Sequence, residues 1–274
     1  MAAQDTGNLI NYKMEMILMK KGYKWLIGLT TAAAIFTASV NTSASFAKTL
    51  SDVPVVGTMV KGVTFTAEGK DVNAQLQVPK IESLENKELE SSLNQKYLAE
   101  NQKLYDEFKK EVNEIKEKGN GHLSVNSGYE VKTDDELIFS IGRYTDKAKG
   151  SSSTTMKYDT IDKKEQVLLT LPILFKNNDY IADISENIKS QMKEQMKKDS
   201  NKVYWVNDGG IEDINIVDKF KQICADQNFY INKDHKLVIS FDEYEVAPGY
   251  MGIVEFVIPT EVISKDLVGH NYIK

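Results

Sequence analysis

The chain contains a single cysteine, Cys224, so no intramolecular disulfide can form and stability must rest on a packed core. Its three histidines, His122, His235 and His270, stand apart from one another. No His-Glu-x-x-His or Cys-x-x-Cys spacing occurs, so no metal or other cofactor is expected. A Gly-x-Ser-x-Gly elbow is missing, and Gly209-Gly210 has no Lys-Ser/Thr after it to make a phosphate loop. Internal repeats and low-complexity tracts are also missing. Apolar residues make up 41% of the chain, an ordinary share that excludes a polytopic membrane protein and a wholly disordered one.

What is present begins with one uncharged stretch, Trp25 to Ala47, preceded by Lys20, Lys21 and Lys24. A basic flank, an apolar run from Trp25 to Val40 and a small-residue tail form an export pattern. The uncharged length is close to the roughly 20 residues that cross a bilayer, so the segment fits a cleavable signal or a membrane anchor. Either way the basic end stays in the cytoplasm and the remainder lies outside. Ser45-Phe46-Ala47 has small residues at the positions a signal peptidase inspects. Met14, Met16 and Met19 offer alternative starts.

The formal net charge is −6; residues 1–24 carry Lys13, Lys20, Lys21 and Lys24 against Asp5 and Glu15, a net +2, which leaves −8 for the rest. That balance repels nucleic acid and favours a basic partner, or it simply keeps a small domain soluble.

Periodicity predicts an α+β fold, with helices packed on a mostly antiparallel sheet behind the amino-terminal segment. A strand begins at Val63, and Asp71 to Pro79 alternates as a half-buried strand. Ser83 to Lys118 is helical, with Ser83 as its N-cap and Gly119 as its stop. Strands follow at His122–Val131, Glu136–Tyr144, Ser151–Tyr158 and Gln166–Thr170, with Asp146 to Gly150 as a polar loop. Tyr180 to Lys198 is a second helix and Asp213 to Gln222 a third, which would bury Cys224 in a helical stretch. Phe229–Ile231 and Leu237–Phe241 form a hairpin with His235 solvated in its turn, and Ile253–Ile258 is the last strand.

Two patterns bear on function. Asp242, Glu243 and Glu245, with Glu255 on the next strand, are the one carboxylate grouping to weigh as a hydrolytic pair. Alternation puts Asp242 on one face and Glu243 and Glu245 on the other, and acidic strand faces are common without catalysis. The segment Ala247-Pro248-Gly249-Tyr250-Met251-Gly252 combines a fixed φ with two permissive glycines. Such a loop is either a structural turn or a rigid surface presenting Tyr250 and Met251 to a partner.

Phe229-Tyr230-Ile231, Leu237 to Asp242, Tyr244 to Gly252 and Phe256-Val257-Ile258-Pro259 resemble the DUF3298 module, and the preceding stretch is similar to DUF4163. Ala44 to Ala47, Val53 to Gly57, Val60 to Phe65, Ser151 to Thr155 and Leu171 to Phe175 resemble the RsiV-like family of anti-sigma-V factors. The resemblance runs from about Val40 to Pro259. It implies a cytoplasmic stub at 1–24, a signal-anchor or signal peptide at 25–47, a DUF4163-like region at 48–170 and a DUF3298-like region at 171–274.

The resemblance further implies a non-enzymatic, single-pass membrane protein whose extracellular part binds a basic C-type lysozyme, with release by cleavage. Pro248, Gly249, Tyr250 and Met251 would enter or border the lysozyme cleft, and Ser151, Ser152 and Ser153 would touch it. Ser45, Phe46 and Ala47 would be the cleavage region for signal peptidase, followed by an intramembrane protease that frees an extracytoplasmic-function sigma factor. Residues 1–24 depart from the family's longer sigma-binding segment. The alternative is a cell-wall-associated peptidoglycan-binding module, because the same modules occur beside polysaccharide deacetylase domains.

Overall fold

A computed structural model describes residues 51–53, 60–69, 71–119, 121–207 and 218–274. The export segment and Ser45-Phe46-Ala47 lie outside the described residues. The described strands make a seven-stranded sheet and a three-stranded one, in an α+β arrangement.

The large sheet runs in sequence order from β1 (Ser51–Val53) and β2 (Val60–Gly69) through β3 (Val72–Ile81), β4 (Leu123–Asp134), β5 (Ile138–Lys149) and β6 (Ser151–Asp162) to β7 (Val167–Leu169). Every pairing is antiparallel except β3 with β4, which are parallel. Parallel neighbours need a crossover, and α1 (Lys87–Lys118) supplies it as one unbroken helix.

The cap of α1 is Asn86, whose side chain accepts from the Leu89 N–H at 3.1 Å. Ser83, the expected cap, instead sits at φ 73° in the lead-in. Asn and Ser cap equally well, and the first residue able to repeat helical angles decides between them. Gly119 closes the helix at φ 78°, as expected.

The polar stretch Asp146 to Lys149 is strand and not loop. It continues β5 to the tight turn at Gly150 (φ 79°), and Ser151 to Ser153 pair with Lys147 to Lys149. A ladder that satisfies each backbone group overrides the low strand preference of Asp and Lys.

Alternation along β5 divides two cores. Phe139 and Ile141 pack with Leu89, Leu93 and Tyr97 of α1, while Ile138 joins the other side. That other side holds α2 (Leu171–Leu174), α3 (Asp179–Lys198) and the small sheet of β8 (Phe229–Ile231), β9 (Leu237–Phe241) and β10 (Val254–Ile258), with α4 (Thr260–Ile263) after it. Ile184, Ile188 and Met192 of α3 meet Ile239, Phe241 and Phe256 there. Thr133 Oγ1 donates to the Ile231 carbonyl at 2.7 Å, fixing β8 against the face of the large sheet opposite α1.

Under α1 the sheet carries a buried charge network. The Arg143 guanidinium lies 2.5 Å from Asp159 and 3.2 Å from Glu100, and stacks 4.2 Å above the Tyr97 ring centre. Lys96 reaches Asp159 at 2.8 Å. Burial alone would raise the Asp159 carboxyl, yet Arg143 and Lys96 hold it below its ordinary value.

Residues 218–222 are not helical, so the expected helix at Asp213–Gln222 fails over its described part. Cys224 is accordingly exposed, and Ile223 is the residue that enters the core. Without helical periodicity, the spacing that would have turned Cys224 inward does not apply. His235 is half-buried and not solvated: its ring meets Asp135 at 3.4 Å and the Tyr272 carbonyl at 3.1 Å.

Candidate functional site

Strand β6 pairs with β5 along its whole length, but with β7 only at Thr160–Asp162. Its remaining edge would leave N–H and C=O groups unpaired. The chain leaving β9 covers part of it. Asp242 Oδ1 accepts from the Met156 N–H at 2.7 Å and Glu243 Oε2 from the Thr154 N–H at 2.8 Å. The Glu243 N–H donates to the Thr154 carbonyl at 3.2 Å, and Asn228 Nδ2 to the Met156 carbonyl at 2.9 Å. Asp242 and Glu243 therefore both serve one strand edge, whereas strand alternation would have sent them to opposite faces. The reason is that β9 ends at Phe241 and the chain turns.

The two expected binding segments adjoin this covering along the chain, one just before Thr154 and the other just after Glu245. Ser151, Ser152 and Ser153 begin β6, are exposed, and lie immediately before Thr154. Pro248 to Met251 follow the Asp242–Glu245 turn. Val246 and Ala247 are buried and anchor the loop, and the Val246 carbonyl accepts from the Trp205 N–H at 2.8 Å. Pro248 at φ −60° leads into a single 3-10 turn, Gly249–Met251, closed by Gly252 at φ 64°. Tyr250 is 68% exposed and its hydroxyl donates to the Asn201 carbonyl at 3.0 Å. Met251 does not stand out beside it; it is half-buried and packs on the second core.

Sequence reasoning missed Tyr244. It sits between Glu243 and Glu245, is 49% exposed, and adopts φ 68°. Its ring lies against Gly249, where any Cβ would overlap the phenol. Gly249 itself has no positive φ, so its lack of a side chain serves the close approach of the Tyr244 ring and not backbone freedom; a Cβ there would push the ring aside. A Tyr-x-x-x-x-Gly spacing carries no recognisable turn signal, and nothing in the sequence flags it.

The remaining carboxylates are likewise taken up by hydrogen bonds. Glu245 accepts from the Asp242 N–H at 2.8 Å and faces Gln227 at 3.5 Å. Glu255, on β10, takes the hydroxyls of Tyr158 (2.9 Å) and Tyr230 (3.0 Å) and the Lys132 ammonium (3.4 Å). The two tyrosine rings stack at 5.0 Å. Burial and the Glu255 charge push both phenols well above their ordinary pKa, so they stay neutral donors. This is a clasp between the two sheets. Among the described residues, no group of three or more His, Cys, Asp and Glu side chains is placed to hold a metal.

Residues 173–261 match the family described as a protein of unknown function, DUF3298. The chain is also 51% identical, over 259 residues, to the anti-sigma-V factor RsiV of Bacillus subtilis (strain 168), an alignment covering 93% of this chain and 88% of the relative. The chain belongs to the anti-sigma-V factor RsiV family. RsiV-family proteins are regulators and not enzymes, which agrees with carboxylates occupied in strand capping and clasping. Two solved DUF3298 structures share the fold. One, from Bacteroides fragilis NCTC 9343, has a TM-score of 0.52 at 17% identity, covering 80% of this chain and 94% of its own. The other, from Pseudomonas aeruginosa PAO1, has a TM-score of 0.53 at 10% identity, covering 81% and 98%.

Proposed function

We propose that this protein is a membrane-anchored sensor that binds a basic C-type lysozyme outside the cell and controls an extracytoplasmic-function sigma factor inside it. The family supports the sigma-factor half through the name of its Bacillus subtilis member. The single observation that carries the lysozyme half is the Glu243–Thr154 pairing. It ties the chain shortly before the Pro248–Met251 loop to β6 directly after Ser151 to Ser153, which supports a single binding face that includes the exposed Tyr250. A stiff convex loop bearing an aromatic side chain suits a concave glycan cleft, and it needs little ordering on binding. Asp242, Glu243 and Glu245 around it add the charge sign that steers a cationic enzyme.

Occupancy of this face by lysozyme would then make Ser45-Phe46-Ala47 available to signal peptidase, and an intramembrane protease would complete release of the sigma factor. Residues 25–47 serve as the anchor in this scheme, with 48–170 and 171–274 as the two extracellular modules. The test is to add lysozyme to cells carrying the full chain and follow it by immunoblot. Loss of the full-length band within minutes, with a rise in sigma-dependent transcription, is expected. An unchanged band and unchanged transcription contradict the proposal; retention on isolated cell walls in the same experiment would favour the wall-module reading.

A further inference from the structure

Tyr244 occupies backbone space that suits glycine or asparagine. At φ 68° a bulky aromatic residue is strained, and such strain persists only where the surroundings enforce it. Here they do. Asp242 and Glu243 are fastened to β6, the Glu245 N–H donates to the Asp242 carbonyl at 3.0 Å, and Val246 is tied to Trp205. The strain gains little burial in return, because half of the Tyr244 ring faces solvent. Its covered half rests on Gly249, the first residue of the turn that carries Tyr250. Tyr244 therefore rests on the residue that immediately precedes Tyr250. Tyr250 is held by the hydrogen bond from its hydroxyl to the Asn201 carbonyl, and Glu243 and Glu245 border Tyr244 in the chain.

We propose that Tyr244 is a second aromatic contact for the protein bound at this face, and that its strained backbone and the Gly249 contact hold Tyr244 and Tyr250 ready as a pair. This rests on the lysozyme reading above: the partner is a basic protein with a concave glycan cleft, matched by two exposed phenols, one of them between Glu243 and Glu245. Strain kept at an exposed aromatic residue is expected where function, and not stability, selects the side chain. Rigid tyrosines lose little entropy on binding, and a preformed pair loses less than two independent side chains.

The test uses the full-length chain in detergent micelles and hen-type lysozyme as the probe. Thermal midpoint and lysozyme affinity are measured for the parent, Tyr244→Gly, Tyr244→Phe, Gly249→Ala, and Tyr244→Gly with Gly249→Ala. Tyr244→Gly relieves the backbone, so its midpoint should equal or exceed the parent's, while its affinity falls about tenfold or more. Tyr244→Phe keeps the ring and should stay within about threefold of the parent. Gly249→Ala should weaken binding by displacing the ring, and should add little in the Tyr244→Gly background, where there is no ring to displace. Parent-like affinity for Tyr244→Gly overturns the proposal. So does a lowered midpoint in that variant, or full additivity of the two changes, since each makes the ring a structural strut. Absence of lysozyme binding by the parent overturns the sensor reading itself, and with it this inference.

Discussion

Glu243 and Thr154 are hydrogen-bonded to each other twice, side chain to backbone and backbone to backbone, at 2.8 and 3.2 Å. They lie 89 residues apart in sequence. Through this pair the chain that leads into the Tyr250 loop is fastened to the edge of β6. Replacing Glu243 by Ala should leave the Thr154 N–H short of an acceptor and cost about 1–3 kcal/mol of stability. It should also weaken lysozyme binding, because the chain leading into the Tyr250 loop loses its fastening to β6. Denaturant unfolding and affinity measured on the same preparation check both; an unchanged affinity would separate the two segments functionally.

Tyr250→Ala is expected to weaken lysozyme binding by roughly thirtyfold or more, the effect of removing an interface anchor worth about 2 kcal/mol. Pro248→Ala should cost less, through lost preorganisation. Lys233→Ala, in the exposed turn of the β8–β9 hairpin, should cost nothing measurable. Circular dichroism should show all three folded, because an exposed loop residue carries little of the core.

Much of the architecture was legible from periodicity. The long helix, its Gly119 stop, the strand meander and the β8–β9 hairpin follow from apolar spacing and turn residues. Other features escaped for physical reasons. Asp146 to Lys149 looked like loop because a polar sequence says nothing of the strand waiting to pair with it. Cys224 looked buried because a helix was assumed around it. Tyr244 was invisible because its interest lies in a φ angle and a contact with Gly249, neither of which composition encodes. The Pro248–Gly252 turn was readable, but which of its side chains face outward was not: Met251 turns in because the second core reaches it.

The buried network under α1 sets the acid limb of stability. Asp159 is held below its ordinary pKa of 3.8 by Arg143 and Lys96 despite burial that opposes ionisation. A depressed carboxylate contributes stability that is complete above its unfolded pKa and is lost as pH falls through its lower folded value. Thermal midpoints should therefore drop below about pH 4 in the parent, and Asp159→Asn should start lower at neutral pH and fall less on acidification. An equal acid limb in both chains would contradict this.

Arg143→Ala leaves Asp159 buried beside Lys96 alone and should destabilise by about 3–5 kcal/mol. The double change Arg143→Met with Asp159→Leu should recover most of that loss, since an apolar pair of similar volume is often neutral. Chemical denaturation of the three chains decides it. No recovery in the double variant would mean that the stability rests on the wider network, the Arg143–Tyr97 stacking at 4.2 Å and the contacts with Glu100 and Lys96, and not on the Arg143–Asp159 pair alone.

The proposed binding face, Ser151 to Ser153 with Pro248 to Tyr250, is expected to occupy the glycan cleft of lysozyme. Calorimetric titration of the full-length chain with lysozyme, repeated with the cleft filled by a chitin trisaccharide, tests it directly. Saturable binding that weakens in proportion to trisaccharide occupancy, alongside competitive inhibition of cell-wall lysis, is the predicted result. Absence of binding by a folded chain, or binding indifferent to the trisaccharide, would contradict it.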